Sequence, residues 1–375
     1  MASFFHFERF RTQMVHVFLD GLRRLSLGFA LLIVAAVILL SSDLQSRRVA
    51  SSGMPAVRRI ALVQHASIKA LDDGRIGVLE QLTKRGYVDG QKIMIKFFNA
   101  EGDIATANAI AKEVTSGQYD MVLSISTPSL QTIANANKSS NQVTHVFGLV
   151  TDPYAAGVGI DPDDHSKHPP YMTGVGSMQP VETMLRTMKE MRPEFKRLGL
   201  VWNPAEANSF AQTKLARVLC EKLSLELIEG SAENAAAVQE SANSVIARGV
   251  DAMWISGDIT VQTAATAVLR AAEKAQIPVF CSLPSLVLKG STVDIGADYV
   301  SIGRSVGDLA ADVLEGKSPA SVPVENVVDQ IVLYNDTGLA KLKDRWTVTP
   351  EIRKRANGWV TATETKMPPG IVPPK

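Results

Sequence analysis

From Arg58 onward the chain alternates short apolar runs with amphipathic helical patterns, and this alternation limits the folds that it can adopt. Buried strands are indicated by RIALVQ at Arg59–Gln64, MVLSI at Met121–Ile125 and RLGLVW at Arg197–Trp202. Apolar positions at helical spacing separate these runs. Strands joined through helices pair in parallel, and the helices cover both faces of the sheet. The sequence therefore predicts an α/β fold with parallel sheets.

The strand–helix alternation occurs twice, on either side of the polar, proline-rich segment Asp161–Pro170. A chain of 375 residues can form two domains, each with its own core. The aspartates and histidines of this segment are residue types that bind metals, but the prolines leave no regular frame to aim them. We interpret the segment as a solvated loop, and we predict no metal and no cofactor.

Two local predictions concern the ends of elements. Asp72 and Asp73 are predicted to cap the helix that follows the first strand, because a carboxylate can accept a hydrogen bond from a free backbone N–H. Trp346–Val360 is predicted to be a polar tail with a short helix.

Composition excludes some classes of protein. The formal net charge is +1, so no electrostatic footprint for nucleic acid is present. Cys220 and Cys281 lie far apart in the sequence and form neither a metal-spaced pair nor a disulfide framework. We predict that both are buried as small hydrophobic residues.

The most apolar stretch of the chain is Leu25–Leu40, which follows Arg23 and Arg24. It is short for a membrane-spanning helix and long for the core of a signal peptide. Arginines flank both sides, so the positive-inside rule gives no orientation. We predict an exported protein with a leader at 1–24, a signal or anchor helix at 25–42 and a linker at 43–57. The segment is either cleaved or retained as an inner-membrane anchor.

Small polar residues follow most of the predicted strands, and others begin the helices after them. In open α/β sheets, ligands bind beyond the carboxyl ends of the strands. Hydroxyls and amides there suit a carboxylate, and Asp152 or Asp258 suits an ammonium. Ser126 and Thr127 stand at the start of a helix, where the dipole favours an anion. The predicted ligand-binding residues of these ends are Gln64, His65, Ser126, Thr127, Thr151, Asp152, Asn203, Asn208, Ser209, Asp258 and Ser282.

Each of these residues also has a simpler interpretation. Asp152 and Asn203 precede prolines and suit ordinary turns. Asp258 suits a helix cap, and His65 suits a solvated loop. Known nucleophile, zinc-protease and phosphate-loop motifs are absent from the sequence, so we predict that the protein is not an enzyme.

Several stretches between Arg59 and Val360 resemble the type I extracytoplasmic solute-binding proteins of ATP-binding-cassette importers, specifically the tryptophan/tyrosine group. The resemblance implies the type I periplasmic-binding-protein fold, with two Rossmann-like lobes joined by three crossovers. It places lobe 1 at 58–175 plus 298–328, and lobe 2 with the C-terminal tail at 176–297 plus 329–375. It adds Asp298 to the ligand-binding candidates. The stretches that carry it are LTKRGYVDG at Leu82–Gly90, NAEGDIATAN at Asn99–Asn108, Ser126–Pro128, TDPYAAG at Thr151–Gly157, VWNPAEANS at Val201–Ser209 and GADY at Gly296–Tyr299.

The resemblance implies transport of a small solute, an amino acid or similar zwitterion of aromatic or hydrophobic kind, in the periplasm. A membrane permease and an ATPase would be the partners, together with the membrane itself if the N-terminal helix is retained. The chain departs from the family pattern in lacking a cysteine near its start and in carrying Ile259 after Asp258. An alternative function is therefore a membrane-anchored sensory or accessory module that signals to a separate partner.

Overall fold

The computed structural model of the chain describes residues 57–368 and residue 371. The predicted leader, the 25–42 helix and nearly all of the linker lie outside these residues. Among the helices that are described, none combines the length and the apolar character needed to cross a membrane.

A six-stranded sheet is built mainly from the first array. Its order is β11-β5-β4-β3-β1-β2, and all its neighbours pair in parallel. Because β3 and β4 are adjacent and parallel, their carboxyl ends lie side by side. The strands are β1 Arg58–Gln64, β2 Ile93–Asn99, β3 Met121–Ile125, β4 Thr144–Val150, β5 Met172–Gly176 and β11 Glu325–Asn326.

An eight-stranded sheet contains the second array, in the order β14-β13-β12-β10-β9-β8-β6-β7. It is parallel from β7 to β10, whereas β12 runs antiparallel to β10 and β14 antiparallel to β13. The strands are β6 Arg197–Trp202, β7 Glu226–Ser231, β8 Ala252–Ile255, β9 Val279–Cys281, β10 Val293–Ala297, β12 Gln330–Asn335, β13 Gly358–Val360 and β14 Thr365–Lys366.

Helices connect the strands of each array, as the alternation predicts. Asp103 caps α2 by accepting a hydrogen bond from the Thr106 N–H, and Ser126 caps α3 through the Ser129 N–H. The helices are α1 Lys69–Lys84, α2 Ile104–Val114, α3 Thr127–Asn137, α4 Val181–Met191, α5 Ala207–Lys222, α6 Val238–Ala247, α7 Ile259–Thr263, α8 Ala265–Lys274, α9 Tyr299–Leu314 and α10 Pro350–Arg355.

Within residues 57–368 the chain passes between the two sheets three times. It crosses from β5 to α4 through residues 177–180, from β10 to α9 at Asp298, and from β11 to β12 through residues 327–329. The predicted α/β fold with two sheets and a three-crossover hinge is therefore confirmed. The residue-by-residue lobe boundaries stay a prediction.

The second crossover returns α9 to the six-stranded sheet, where it packs against α1. The two helices come so close that glycine is required at the contact. A Cβ at Gly303 would lie 2.1 Å from the Gly74 carbonyl oxygen, and one at Gly77 would lie 2.2 Å from the Val300 carbonyl oxygen. Backbone atoms cannot move aside as a flexible side chain can, so this packing fixes α9 on the first lobe.

Two local predictions are wrong. Asp72 and Asp73 do not cap α1, because the helix begins at Lys69 and both aspartates lie inside its first turns. The segment Trp346–Val360 contains the predicted short helix, α10, but it is not a polar tail. Trp346, with 3% of its surface exposed, packs its ring between Phe195 and Phe280. Cys220 and Cys281 are buried free thiols, as predicted.

Candidate functional site

A small cavity lies between the two lobes, at the carboxyl ends of the strands of both sheets. Its volume is about 20 Å³, which is room for one water molecule. Sites that enclose a small organic ligand hold roughly 300–1,000 Å³. The lobes must therefore part before a solute can enter. The lining residues are Ile68, Ala70, Leu71, Ser126, Thr127, Leu149, Thr151, Gln179, Asn208, Gly257, Ile259, Gln262 and Tyr299.

The first lobe contributes the start of α3 to this cavity. Ser126 follows β3 directly, and its Oγ accepts a hydrogen bond from the Ser129 N–H at 3.3 Å. Thr127 Oγ1 accepts one from the Thr151 N–H at 3.3 Å, which ties the end of β4 to the start of α3. The structure thus brings three predicted site residues together at the positive end of a helix, where backbone N–H groups attract an anion.

Backbone strain is concentrated on the same wall. Ser126 has φ of 103° and Leu149 has φ of 55°, a region that residues with a side chain rarely adopt. Each such residue costs roughly 1–3 kcal/mol and persists where the surrounding structure enforces it, often at ligand sites. Leu149 also interrupts the regular pairing of β4 with β5.

On the second lobe, the carboxylate of Asp258 accepts hydrogen bonds from neighbouring groups of the protein and does not line the cavity. Its Oδ2 accepts hydrogen bonds from the Asn203 N–H at 2.5 Å and the Ser209 hydroxyl at 2.6 Å. Its Oδ1 accepts one from the Val261 N–H at 2.7 Å and caps α7. Both carboxylate oxygens are occupied, so the geometry favours the helix-cap interpretation over contact with a ligand ammonium. Asn203 in turn accepts from the Ala205 N–H, which is the turn geometry expected before a proline.

The pKa of Asp258 predicts how the stability of the protein changes with pH. Burial, with the charge of Glu206, raises this pKa from 3.8 to about 6. A raised carboxyl pKa contributes stability that is complete below the unfolded value and lost as pH rises through the folded value. The unfolding free energy of the wild type minus that of Asp258→Asn should therefore decrease between about pH 4 and pH 6. Urea unfolding at several pH values measures it, and a difference that stays flat or increases contradicts the assignment.

Glu206 is a site-organising residue that the sequence did not reveal. Its carboxylate accepts from the N–H groups of Ile259 and Thr260, at 2.9 Å each, and from Asn208 Nδ2 at 2.9 Å. It also acts electrostatically on His65, which belongs to the first lobe. Burial lowers the pKa of His65 below its usual value, while the negative charges of Glu206 and Asp103 oppose this shift.

Some buried polar atoms have no partner in the part of the chain that the structure describes, and two of the residues that carry them, Asn208 and Gln262, line the cavity. Within the described residues, nine buried side-chain nitrogen or oxygen atoms have no hydrogen-bond partner. Six of them belong to residues at strand ends or in α5 and α7, and three of these six are amide oxygens. A buried acceptor without a donor costs free energy that a ligand donor would recover. The six atoms are Gln64 Oε1, His65 Nδ1, Asn208 Oδ1, Thr213 Oγ1, Ser256 Oγ and Gln262 Oε1.

A buried hydrogen-bonded chain joins two hinge crossovers to the second lobe. Gln179, in the first crossover, donates from Nε2 to the hydroxyl of Tyr299 at 2.8 Å, just after the second crossover. Gln179 Oε1 accepts from Gln212 Nε2, and Gln212 Oε1 accepts from the Gly257 N–H at 2.8 Å. These hydrogen bonds therefore link the cavity wall to the hinge.

Four other predicted site residues, Gln64, Asp152, Ser282 and Asp298, do not line the cavity. Gln64 Nε2 donates to the Ala66 carbonyl and to Asp72, and the Ser282 hydroxyl accepts from Trp254 Nε1 at 3.1 Å. Asp152 Oδ1 accepts from two backbone N–H groups in a turn. Asp298 caps α9 through the Ser301 N–H.

Several lining residues were not predicted. Gln179 and Gln262 belong to no motif, and their position depends on how the hinge and α7 fold. Gly257 and Tyr299 stand beside predicted residues, in Ser256–Asp258 and in GADY, so an inspection of those stretches residue by residue could have found them. Groups of acidic, histidine or cysteine residues that could hold a metal are absent from the described residues.

These features define a two-lobed binding protein with an interlobe cleft, and comparison with known proteins identifies the family. A sequence model of the ABC transporter substrate binding protein family matches residues 59–357. The chain belongs to this family, which is one of extracytoplasmic solute-binding proteins with permease partners and not one of enzymes. It is 29% identical to a tyrosine-binding protein of Clostridioides difficile over 281 residues, covering 75% of this chain and 79% of that one.

Two solved structures show the arrangement of the lobes. A domain from Streptococcus pneumonia in complex with L-Trp is similar at a TM-score of 0.75, with 24% identity, covering 81% of this chain and 100% of that one. A ligand-free, open substrate-binding protein with adhesive properties from Clostridium difficile is similar at a TM-score of 0.60, with 27% identity, covering 83% and 100%. The open structure is the less similar in shape although it is the more similar in sequence, in keeping with the narrow cleft described above.

Proposed function

We propose that the protein captures an amino acid or a similar small zwitterion in the interlobe cleft and delivers it to an ABC permease. The main support is that Asn208 Oδ1 and Gln262 Oε1, two buried acceptors without a partner among the described residues, belong to residues that line the interlobe cavity. Buried acceptors of this kind suit the donors of an ammonium group. The start of α3, with Ser126 and Thr127, suits a carboxylate. The cleft therefore offers hydrogen-bond partners for both the ammonium and the carboxylate of a zwitterion.

An aromatic side chain is the proposed third element of the ligand. The tyrosine-binding relative supports this choice, since this chain matches it over most of both lengths. The apolar part of the cavity wall agrees with it, because Ile68, Leu71, Leu149 and Ile259 all face the cavity. Ile259 stands where the family pattern has a polar residue, so the second lobe decides which side chain fits.

Mass spectrometry of small molecules released from the native protein by denaturation tests the proposal. An aromatic amino acid is the expected species, and recovery of a sugar alone would contradict it.

Asp152 is the proposed partner of the ligand ammonium. Its Oδ1 holds the turn, but among the described residues nothing donates to its Oδ2. Asp152→Asn keeps an oxygen for the turn and removes the charge. We expect it to weaken binding of L-tyrosine about tenfold or more, which corresponds to about 1.4 kcal/mol. Calorimetric titration of the full-length chain measures this.

The matched control is Asp161→Asn. Asp161 Oδ1 also accepts from two backbone N–H groups, but its turn lies in the polar loop between the arrays. Its substitution should leave affinity unchanged. Equal affinities for the Asp152 variant and the wild type would remove the ammonium role from Asp152.

A second proposed function is a membrane-anchored sensory module. It is motivated by the apolar segment Leu25–Leu40 together with the lack of a cysteine acceptor for lipid after it. The two functions differ in the partner of the ligand-bound protein. Stimulation of ATP hydrolysis by a co-purified permease and ATPase supports transport, whereas capture of a receptor without an ATPase supports signalling.

A further inference from the structure

A second concavity lies on the far side of the second lobe. It encloses about 380 Å³, within the range of small-molecule sites. Pro278 and Val279 at the start of β9, Thr292 before β10, and Asn335 at the end of β12 border it. These positions are at the edge of the sheet opposite to the strand ends that face the cleft. A molecule bound here would not touch the interlobe ligand.

Three exposed cationic side chains surround this concavity, namely Arg270, Lys289 and Lys341, and the acid that lines it is Glu273. Among the described residues, none of the three cations has an ion pair or a side-chain hydrogen bond. Other arginines of the same lobe are paired with carboxylates, namely Arg192, Arg197, Arg217, Arg353 and Arg355. Cations that form no ion pair around a concave surface concentrate a positive potential there.

The rest of the lining determines which anion fits. Leu269, Ile277 and Leu342 provide an apolar wall, while Thr266 and Thr337 provide hydroxyls. An apolar body can lie against the first group while an anionic head reaches the cations. A small inorganic anion would leave most of the volume unused.

We propose that this concavity is a second ligand site, which binds a small organic anion with an apolar body, such as an aromatic phosphate or carboxylate. The site acts independently of the interlobe cleft, so it does not rest on the function proposed above. Arg270, Lys289 and Lys341 bind the anionic head, and Glu273 weakens binding by like-charge repulsion.

Calorimetric titration of the full-length chain with phenyl phosphate tests the proposal, with benzylamine as a probe of similar shape and opposite charge. We expect one saturable site for phenyl phosphate and none for benzylamine. Replacing Arg270, Lys289 and Lys341 together with glutamine should weaken phenyl phosphate binding roughly tenfold or more. Glu273→Gln should strengthen it, because the repelling charge is removed.

The control triple variant replaces Lys84, Lys138 and Lys222 with glutamine. It makes the same change in net charge at exposed positions away from the concavity, and it should leave phenyl phosphate binding unchanged. Lack of binding to the wild type, equal losses in the two triple variants, or equal binding of benzylamine would each overturn the proposal. Loss of phenyl phosphate binding when L-tyrosine saturates the cleft would overturn it as well, since the anion would then occupy the cleft.

Discussion

Gly303→Ala is expected to destabilise the protein by roughly 2–4 kcal/mol. The added Cβ would lie 2.1 Å from the Gly74 carbonyl oxygen, and this clash is relieved only by moving α9 away from α1. That movement would also loosen α9 at its start, where the chain crosses between the lobes. Urea unfolding followed by circular dichroism measures the change in the free energy of unfolding.

The matched control for this prediction is Gly338→Ala. Gly338 has open space around its Cα and a φ of −90°, so an added methyl group meets neither a neighbour nor a backbone restriction. Its expected effect is within about 0.5 kcal/mol. If the two alanine variants proved equally stable, α9 would not be held on the first lobe by the close contact described here.

Gln262→Leu is expected to weaken binding of L-tyrosine roughly 10- to 100-fold. Gln262 lines the cavity, its Oε1 atom has no partner among the described residues, and its Nε2 donates to the Ser256 carbonyl at 2.9 Å. Leucine keeps much of the volume and removes both groups. A ligand donor would then be buried against an apolar side chain and lose its hydrogen bond.

Gln131→Leu is the control for this second prediction. Gln131 also donates from Nε2 to a backbone carbonyl, that of Ala156, at 2.9 Å, but it does not line the interlobe cavity. Both variants lose one such bond, so the difference between their affinities reports the cleft. Equal affinities measured by calorimetry would exclude Gln262 from the ligand contacts.

The fold was predictable where local chemistry and burial agree. The Met121–Ile125 strand and the helix capped by Ser126 follow from an apolar run, a hydroxyl and Pro128, and the structure has them at those residues. Several strands were missed, and β5 shows the reason. In β5 the sequence MTGVG includes Gly174, whose Cβ would meet the Phe147 ring and backbone at 2.4 Å. Glycine has a low strand propensity, so only the packing against β4 specifies this strand.

The position of α9 is a second part of the fold that could not be predicted from local sequence patterns. Its apolar face is evident in the sequence, but that face does not say which sheet the helix covers. That choice is made by a contact between residues more than 200 positions apart, with Gly303 against Gly74. The family resemblance assigns residues 298–328 to lobe 1, an assignment that a count of strands and helices could not make.

The site was predictable in part for a related reason. The rule that ligands meet the carboxyl ends of parallel strands brought Ser126, Thr127 and Thr151 to one wall. It could not tell which strand-end side chains face the cleft and which bond to one another. The carboxylate of Asp258 could pair with a ligand ammonium, but it accepts hydrogen bonds from Asn203 and Ser209 within the second lobe instead. Gln262 lines the cleft because it belongs to α7, a helix of five residues that no sequence motif indicates.

Calorimetric titration of the full-length chain with each of the twenty common amino acids is the decisive test of whether the cleft binds an amino acid. We expect one saturable site for an aromatic L-amino acid, weakened by Gln262→Leu and unaffected by Gln131→Leu. Flat titrations with all twenty amino acids would contradict it.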